Sequence, residues 1–482
     1  MRPLRRAMAI AATLIAVLAC TAQIPALGAA ESDIRTVVLP PGAELTLANI
    51  ERYPEVPWLD VDEVERRRYG QYGIRSTDSK EFADERGPGM ARVADIWTEC
   101  LSRNFTIDGP AVPWVRDHYA MCARGYAAAV ETDNSLDGIK WSISVPYTIV
   151  AIGSKTERTI DVNLRMHTQN ITTNGTPPDP DPILKVELFC KDLHFDGDAA
   201  AAKTCQIDNN APGQSLVIQK RISAWRAAPD DYAFRVTSDD SGTGWTEPQI
   251  IRGGPEKVVV SNLGMNFHYP ISTMTPNGRK AWQTSARFDS AEYLKFVSGV
   301  GGKGAVFYDI IPSLVYRRND VTTPTYDGVA EVAKHIYDAF VNPGITVPEV
   351  PAGSPAKVVP GASNNEDDTI QRLYWNEDKT ARWEGRINHN RELARAECFK
   401  SWGNPLPIGM QCDEFPFATT HQGAAGSRYD DAIQPYRWSA RAVSAVDNGE
   451  AGDRLSAWYS HDRILDWSYS GRLQDDFFVR VP

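Results

Sequence analysis

Several things are missing from this chain of 482 residues. No Cys-x-x-Cys spacing occurs, which rules out the usual structural zinc frameworks. After the first 30 residues no stretch is apolar enough to span a bilayer. Net positive charge is absent too: the formal charge is −11. That balance argues against a general nucleic-acid coat protein. It leaves room for a protein that meets phosphate through bound cations. The glycine-rich run "SGVGGKGAV" lacks the Ser/Thr and the spacing of a phosphate loop, and no internal repeat is present.

What is present begins with a leader. "MRPLRR" is basic, "AMAIAATLIAVLAC" apolar, and "ALGAA" small-residue. Together they read as a secretion signal over 1–30, with cleavage after Gly28 or Ala30. The "VLAC" ending at Cys20 weakly resembles a lipoprotein box, so anchoring through Cys20 is the minor alternative. The other six cysteines fall into three close pairs along the chain. An even count in an exported chain reads as disulfides. Local pairing is the simplest: Cys100–Cys122, Cys190–Cys205 and Cys398–Cys412. Each short loop closed this way is worth about 3 kcal/mol by chain-entropy arguments.

The pattern of apolar residues divides the rest. Residues 31–90 form an N-terminal segment that is charged and difficult to assign, expected to be partly disordered and given no activity. From about 139 to 320 eight runs alternate with period two between Gly, Pro, Asn and Asp turns, for example "TIDVNLRMHTQ" and "KVVVSNLGMNF". They predict an antiparallel β-sandwich, so that 91–322 is a disulfide-containing, mainly β central region. Past Pro324 the period changes. Val329, Val332, Ala333, Ile336 and Phe340 share one helical face. His335 on that helix reads as structural. A Pro- and Gly-rich insertion covers 341–370. "NHNRELARAECF" predicts a helix with Leu393, Ala394 and Cys398 near one face, and "SARAVSAV" a strand. "DNGEAGDRLSAWY" predicts a helix capped by Asp447 or Asn448, and "DDFFVRVP" a closing strand. The architecture expected is therefore multidomain, with an α+β domain over 323–482.

The candidate chemistry lies in "QCDEFPFATTHQGA", residues 411–424. Adjacent acids Asp413 and Glu414 stand between Cys412 and the aromatic pair Phe415 and Phe417. A crosslink from Cys398 would lock the preceding helix, with Arg391, against the acidic turn, as a preorganised site requires. Phe415, Pro416 and Phe417 read as core and turn.

This motif, the later "SARAVSAVDNGEAGDRLSAWY", the helix "VAEVAKHIYDA" and Asn390-Arg391 together resemble the NucA/NucB family of secreted bacterial deoxyribonucleases. The resemblance covers roughly 325–482, interrupted by the insertion at 341–370, and does not extend to the first two thirds of the chain. It implies metal-assisted endonucleolytic cleavage of DNA with Mg²⁺ or Mn²⁺. In that scheme Asp413 is the base, Glu414 a metal ligand, and Arg391 the phosphate clamp; the first two roles are interchangeable on sequence grounds. His421 is an acid, base, metal ligand or plain structural histidine. Asp447 is a second metal ligand or a helix cap, and Asn448 and Arg441 are weaker substrate contacts. The family often has an acid where this chain has Gln422, which would remove a carboxylate ligand. About two dozen acids against about sixteen bases in this last domain predict weak, salt-sensitive DNA binding. The competing expectation is an extracellular binding or adhesive protein with a weakened nuclease-like domain.

Overall fold

A computed structural model describes residues 33–482 apart from 54, 56–57, 72–73, 84–92, 104–112, 133–137, 194–203, 228–230, 241–255, 270–277, 296, 320–327, 363–367, 377–380, 467 and 470–472. The leader 1–30 with Cys20, and both expected segment boundaries, at 90/91 and 322/323, lie outside the described residues.

Two antiparallel sheets make up most of the central region. One eight-stranded sheet runs Asp33–Leu39, Ala120–Thr132, Ile139–Gly153, Thr159–Met166, Asp231–Ser238, Cys205–Ile207, with two short strands added at its side. A five-stranded sheet runs Leu216–Arg221, Ile183–Asp192, Lys257–His268, Arg279–Ser290, Lys303–Phe307. In Thr159–Met166 every second residue is buried, as a strand with one covered face requires. Its Val162 and Leu164 share one core with Leu188, Leu263 and Trp282 of the other sheet. Within 31–90, Asp33–Leu39 pairs with Ala120–Thr132 in unbroken register, and Leu47–Arg52 and Val61–Arg66 are short capped helices.

Arg279–Ser290 departs from the alternating pattern, since all but its first residue are buried. Trp282, Ala286 and Phe288 enter the inter-sheet core. The opposite face is polar yet covered, because the C-terminal region packs on it. Arg287 donates to the Arg463 carbonyl at 2.6 Å and pairs with Asp475 at 2.5 Å, while Asp289 pairs with Arg463.

A third, four-stranded sheet joins distant parts of the chain, in the order Ile370–Gln371, Asp476–Arg480, Ile311–Val315, Ile74–Asp78. Ile311–Val315 runs parallel to both Ile74–Asp78 and Asp476–Arg480. Among the described residues three α-helices complete the C-terminal region: Ala330–Val341 (the histidine helix), Glu384–Trp402 (the arginine helix) and Ala445–His461 (the closing helix). The arginine helix buries Arg386, Ile387, Asn390, Ala394 and Cys398, a spacing that repeats with the helical turn. The described part of the insertion includes a 3-10 turn at Pro343–Ile345 and is held by the buried Lys357, whose ammonium donates to Thr346 Oγ1 at 2.9 Å and the Pro348 carbonyl at 3.0 Å.

The three cysteine pairs are bonded as expected, with Cα–Cα separations of 6.0, 5.8 and 5.9 Å. Among the described residues no helix is long and apolar enough to cross a membrane.

Candidate active site

The acidic motif forms one strand of a two-stranded ribbon, Met410–Phe415 against Ser439–Ser444, in which Asp413 stands opposite Arg441 and Glu414 opposite Ala440. Successive side chains on a strand point to opposite faces, and the two acids are separated accordingly. Asp413 and Phe415 face the histidine helix. Asp413 Oδ2 lies 2.6 Å from His335 Nδ1, and the Phe415 ring meets Phe340 edge-on at 5.1 Å. Cys412 and Glu414 face the arginine helix, to which Cys412 is bonded through Cys398.

His335 is fully buried and bridges two elements, since its Nε2 lies 2.7 Å from Ser439 Oγ. A serine hydroxyl donating to Nε2 leaves Nδ1 as the donor to the carboxylate. Asp413 is therefore held by one oxygen. Its other oxygen, Oδ1, has no hydrogen bond among the described residues, and Asp413 lines a cavity of about 1030 Å³.

Glu414 lines the same cavity and is only partly exposed. Its carboxylate has no hydrogen bond or ion pair among the described residues. Burial, helped by the charge of Asp413, pushes its pKa up to about 8, against the pull of Arg391 and Arg395. Those two arginines lie one turn apart on the arginine helix, exposed and lining the cavity, and neither is ion-paired among the described residues. Two uncommitted guanidiniums beside a recessed carboxylate present the paired donors that match phosphate oxygens.

Asn390 holds the turn after the motif. Its amide donates to the Ala418 carbonyl at 2.7 Å, and its oxygen accepts from Ala425 N at 2.7 Å. A Cβ on Gly423 would sit 2.4 Å from Asn390 Nδ2, so glycine is required there. In the Asn390-Arg391 pair the asparagine builds the turn and the arginine faces the cavity.

Other expected residues lie elsewhere. His421 Nε2 lies 2.9 Å from Asp466 Oδ1, and His421 is not among the residues lining the cavity. Gln422 Oε1 accepts from Gln371 N at 3.0 Å, also outside the lining. Arg441 is paired with Asp338 at 2.6 Å. Asn448 does line the cavity, donating to Gln411 Oε1 at 3.0 Å. Asp447 is buried in the first turn of the closing helix, where its carboxylate accepts from Glu331 N at 2.8 Å and so caps the histidine helix. It is not brought together with Glu414. The closing helix is itself capped by Ser444, not by Asp447 or Asn448, because the ribbon strand turns directly into the helix at that serine. Sequence reasoning missed Arg395, although its position four residues after Arg391 on a helix was the available signal. It also took His335 as merely structural, and no local pattern ties that residue to Asp413.

Comparison with known proteins addresses the ribbon and the arginine helix directly. Residues 363–466 match the family model of Deoxyribonuclease NucA/NucB. The match contains Arg391, Arg395, Asp413 and Glu414, and bears out the NucA/NucB resemblance of the C-terminal region. His335 and the whole central region lie outside it. No curated protein matches the chain. Among solved structures, Clostridium perfringens delta-toxin aligns with 7% identity and a TM-score of 0.08, over 35% of this chain and 84% of that one, too little to support any inference.

Proposed function

We propose that this chain is an extracellular, metal-dependent endonuclease that hydrolyses DNA phosphodiester bonds. The observation that carries the proposal is the Glu414 carboxylate, recessed without a partner in a cavity beside Arg391 and Arg395, within the stretch that matches a deoxyribonuclease family. Arg391 and Arg395 clamp the phosphate, which guanidinium matches with paired donors. Asp413, oriented by His335, takes the proton of the attacking water through its uncommitted oxygen.

The donor set suits a hard cation. Among the described residues no group of three His, Cys, Asp or Glu is placed to hold a metal ion. Mg²⁺ and Mn²⁺ need less: Mg²⁺ is usually bound through one or two carboxylates, with water and substrate phosphate completing its shell. Glu414 is that carboxylate. A cation beside it would supply the compensation that its raised pKa lacks, and once bound would relieve the charge on the phosphate.

Three disulfides support an oxidising, extracellular setting. The two facing central sheets are read as a sandwich that supports the nuclease region. Gln422 bonds to backbone away from the cavity, so it does not weigh against catalysis. Cleavage of supercoiled plasmid tests the reading. Oxidised protein should nick it with Mg²⁺ or Mn²⁺ and stop on chelation. Failure to nick with any divalent ion would favour a binding protein instead.

A further inference from the structure

One end of the cavity is not built by the nuclease region alone. Tyr293 and Val297, in the turn that follows the central strand Arg279–Ser290, line it together with Arg372, Tyr374 and Arg382. The Tyr293 and Tyr374 rings are stacked, 4.1 Å between centroids and 16° apart. Trp375 meets both edge-on, at 5.5 and 4.7 Å.

This group is fixed from several sides. The Tyr293 hydroxyl donates to the Glu256 carboxylate and accepts from Asp466 N at 3.1 Å. Asp466 Oδ2 accepts from Tyr374 N and Trp375 N at 2.8 and 2.7 Å. The Arg372 guanidinium lies 5.0 Å from the Tyr293 centroid and 5.4 Å from that of Tyr374, anchored on the Ile464 carbonyl at 2.7 Å. Tyr293 is buried, but Tyr374 is only partly so. The exposed Arg382 lies 5.8 Å from the Tyr374 centroid and has no ion pair among the described residues.

We propose that this end of the cleft is a stacking subsite for an unpaired nucleobase of the strand being cut, and that the central region completes it. The proposal rests on the nuclease reading above. Its chemistry is that of single-strand recognition: a planar aromatic surface, with cations beside it, along a groove that holds phosphate. Bases in a duplex are already stacked on their neighbours, so only an unpaired or extruded base can offer its face to Tyr374. Because Tyr374 is held in place before any ligand arrives, little ordering opposes binding.

The test uses the full-length oxidised protein with a fluorescein-labelled oligothymidylate and its duplex with oligodeoxyadenylate. Binding is read by anisotropy and cleavage by gel, with Mg²⁺ present for cleavage. Wild type is expected to bind the single strand more tightly than the duplex. Tyr374→Ala should reduce that preference about tenfold, Tyr374→Phe should retain it, and Arg382→Ala should reduce it less than Tyr374→Ala does. Thermal unfolding of each variant separates a lost contact from a lost fold; should Tyr374→Ala fail to fold, the exposed Arg382→Ala decides. Equal binding of both substrates by wild type, or an unchanged preference in the folded alanine variants, overturns the proposal. Tyr374-dependent binding of the single strand without cleavage would sustain the subsite while refuting the nuclease reading.

Discussion

Asp413 and Glu414 are adjacent in sequence but face different helices, and their chemistry differs for that reason. Asp413 has a donor in His335, while Glu414 faces the cavity with no partner among the described residues. Environments that differ between neighbouring carboxyl groups are how one site obtains two acid–base roles. The pair was legible in the sequence because it sits in one short motif with its disulfide cysteine. His335 was not, because it lies 78 residues from Asp413 and only the packed helix brings the two together. His335→Ala removes the donor from a buried carboxylate, which costs about 1–3 kcal/mol. It should lower stability in urea unfolding by that amount and slow plasmid nicking through kcat, with KM little changed. Normal turnover in a folded His335→Ala variant would show that Asp413 needs no positioning.

Among the elements, the arginine helix and the ribbon form the working unit, joined by Cys398–Cys412 across a separation of 14 residues. Both elements and the crosslink could be read locally, from helical spacing, strand alternation and neighbouring cysteines. The start of the closing helix was misplaced. "DNGEAG" looks like a helix beginning, yet Ser444 with Asp447 three residues on is the better capping signature. That shift sends the Asp447 carboxylate to the first turn of the histidine helix, where it accepts from Glu331 N. Replacing Cys398 and Cys412 together by serine should cost about 3 kcal/mol. Urea unfolding of the oxidised variant beside oxidised wild type measures it, and nicking should fall as Arg391 and Arg395 lose their fixed distance from Glu414.

At the scale of the whole molecule, the nuclease region is not a separable bead. Its sheet borrows Ile74–Asp78 and Ile311–Val315. Its base is tied to the N-terminal segment by the buried pair Arg68–Asp476 and to the central region by Arg287–Asp475, each at 2.5 Å. Breaking such a pair leaves an uncompensated buried charge. None of this was legible in the sequence, since parallel pairing between strands more than a hundred residues apart leaves no local trace. It also explains the polar face of Arg279–Ser290, which a central domain standing apart would leave to solvent. The chemistry therefore has to be measured on the full chain. The most direct measurement is plasmid nicking by oxidised full-length protein with Mg²⁺, set beside a Glu414→Gln variant of matched melting temperature. The prediction is chelator-sensitive nicking by wild type and a loss of about a hundredfold or more in the variant. A Glu414→Gln protein that nicks as fast as wild type would contradict the account.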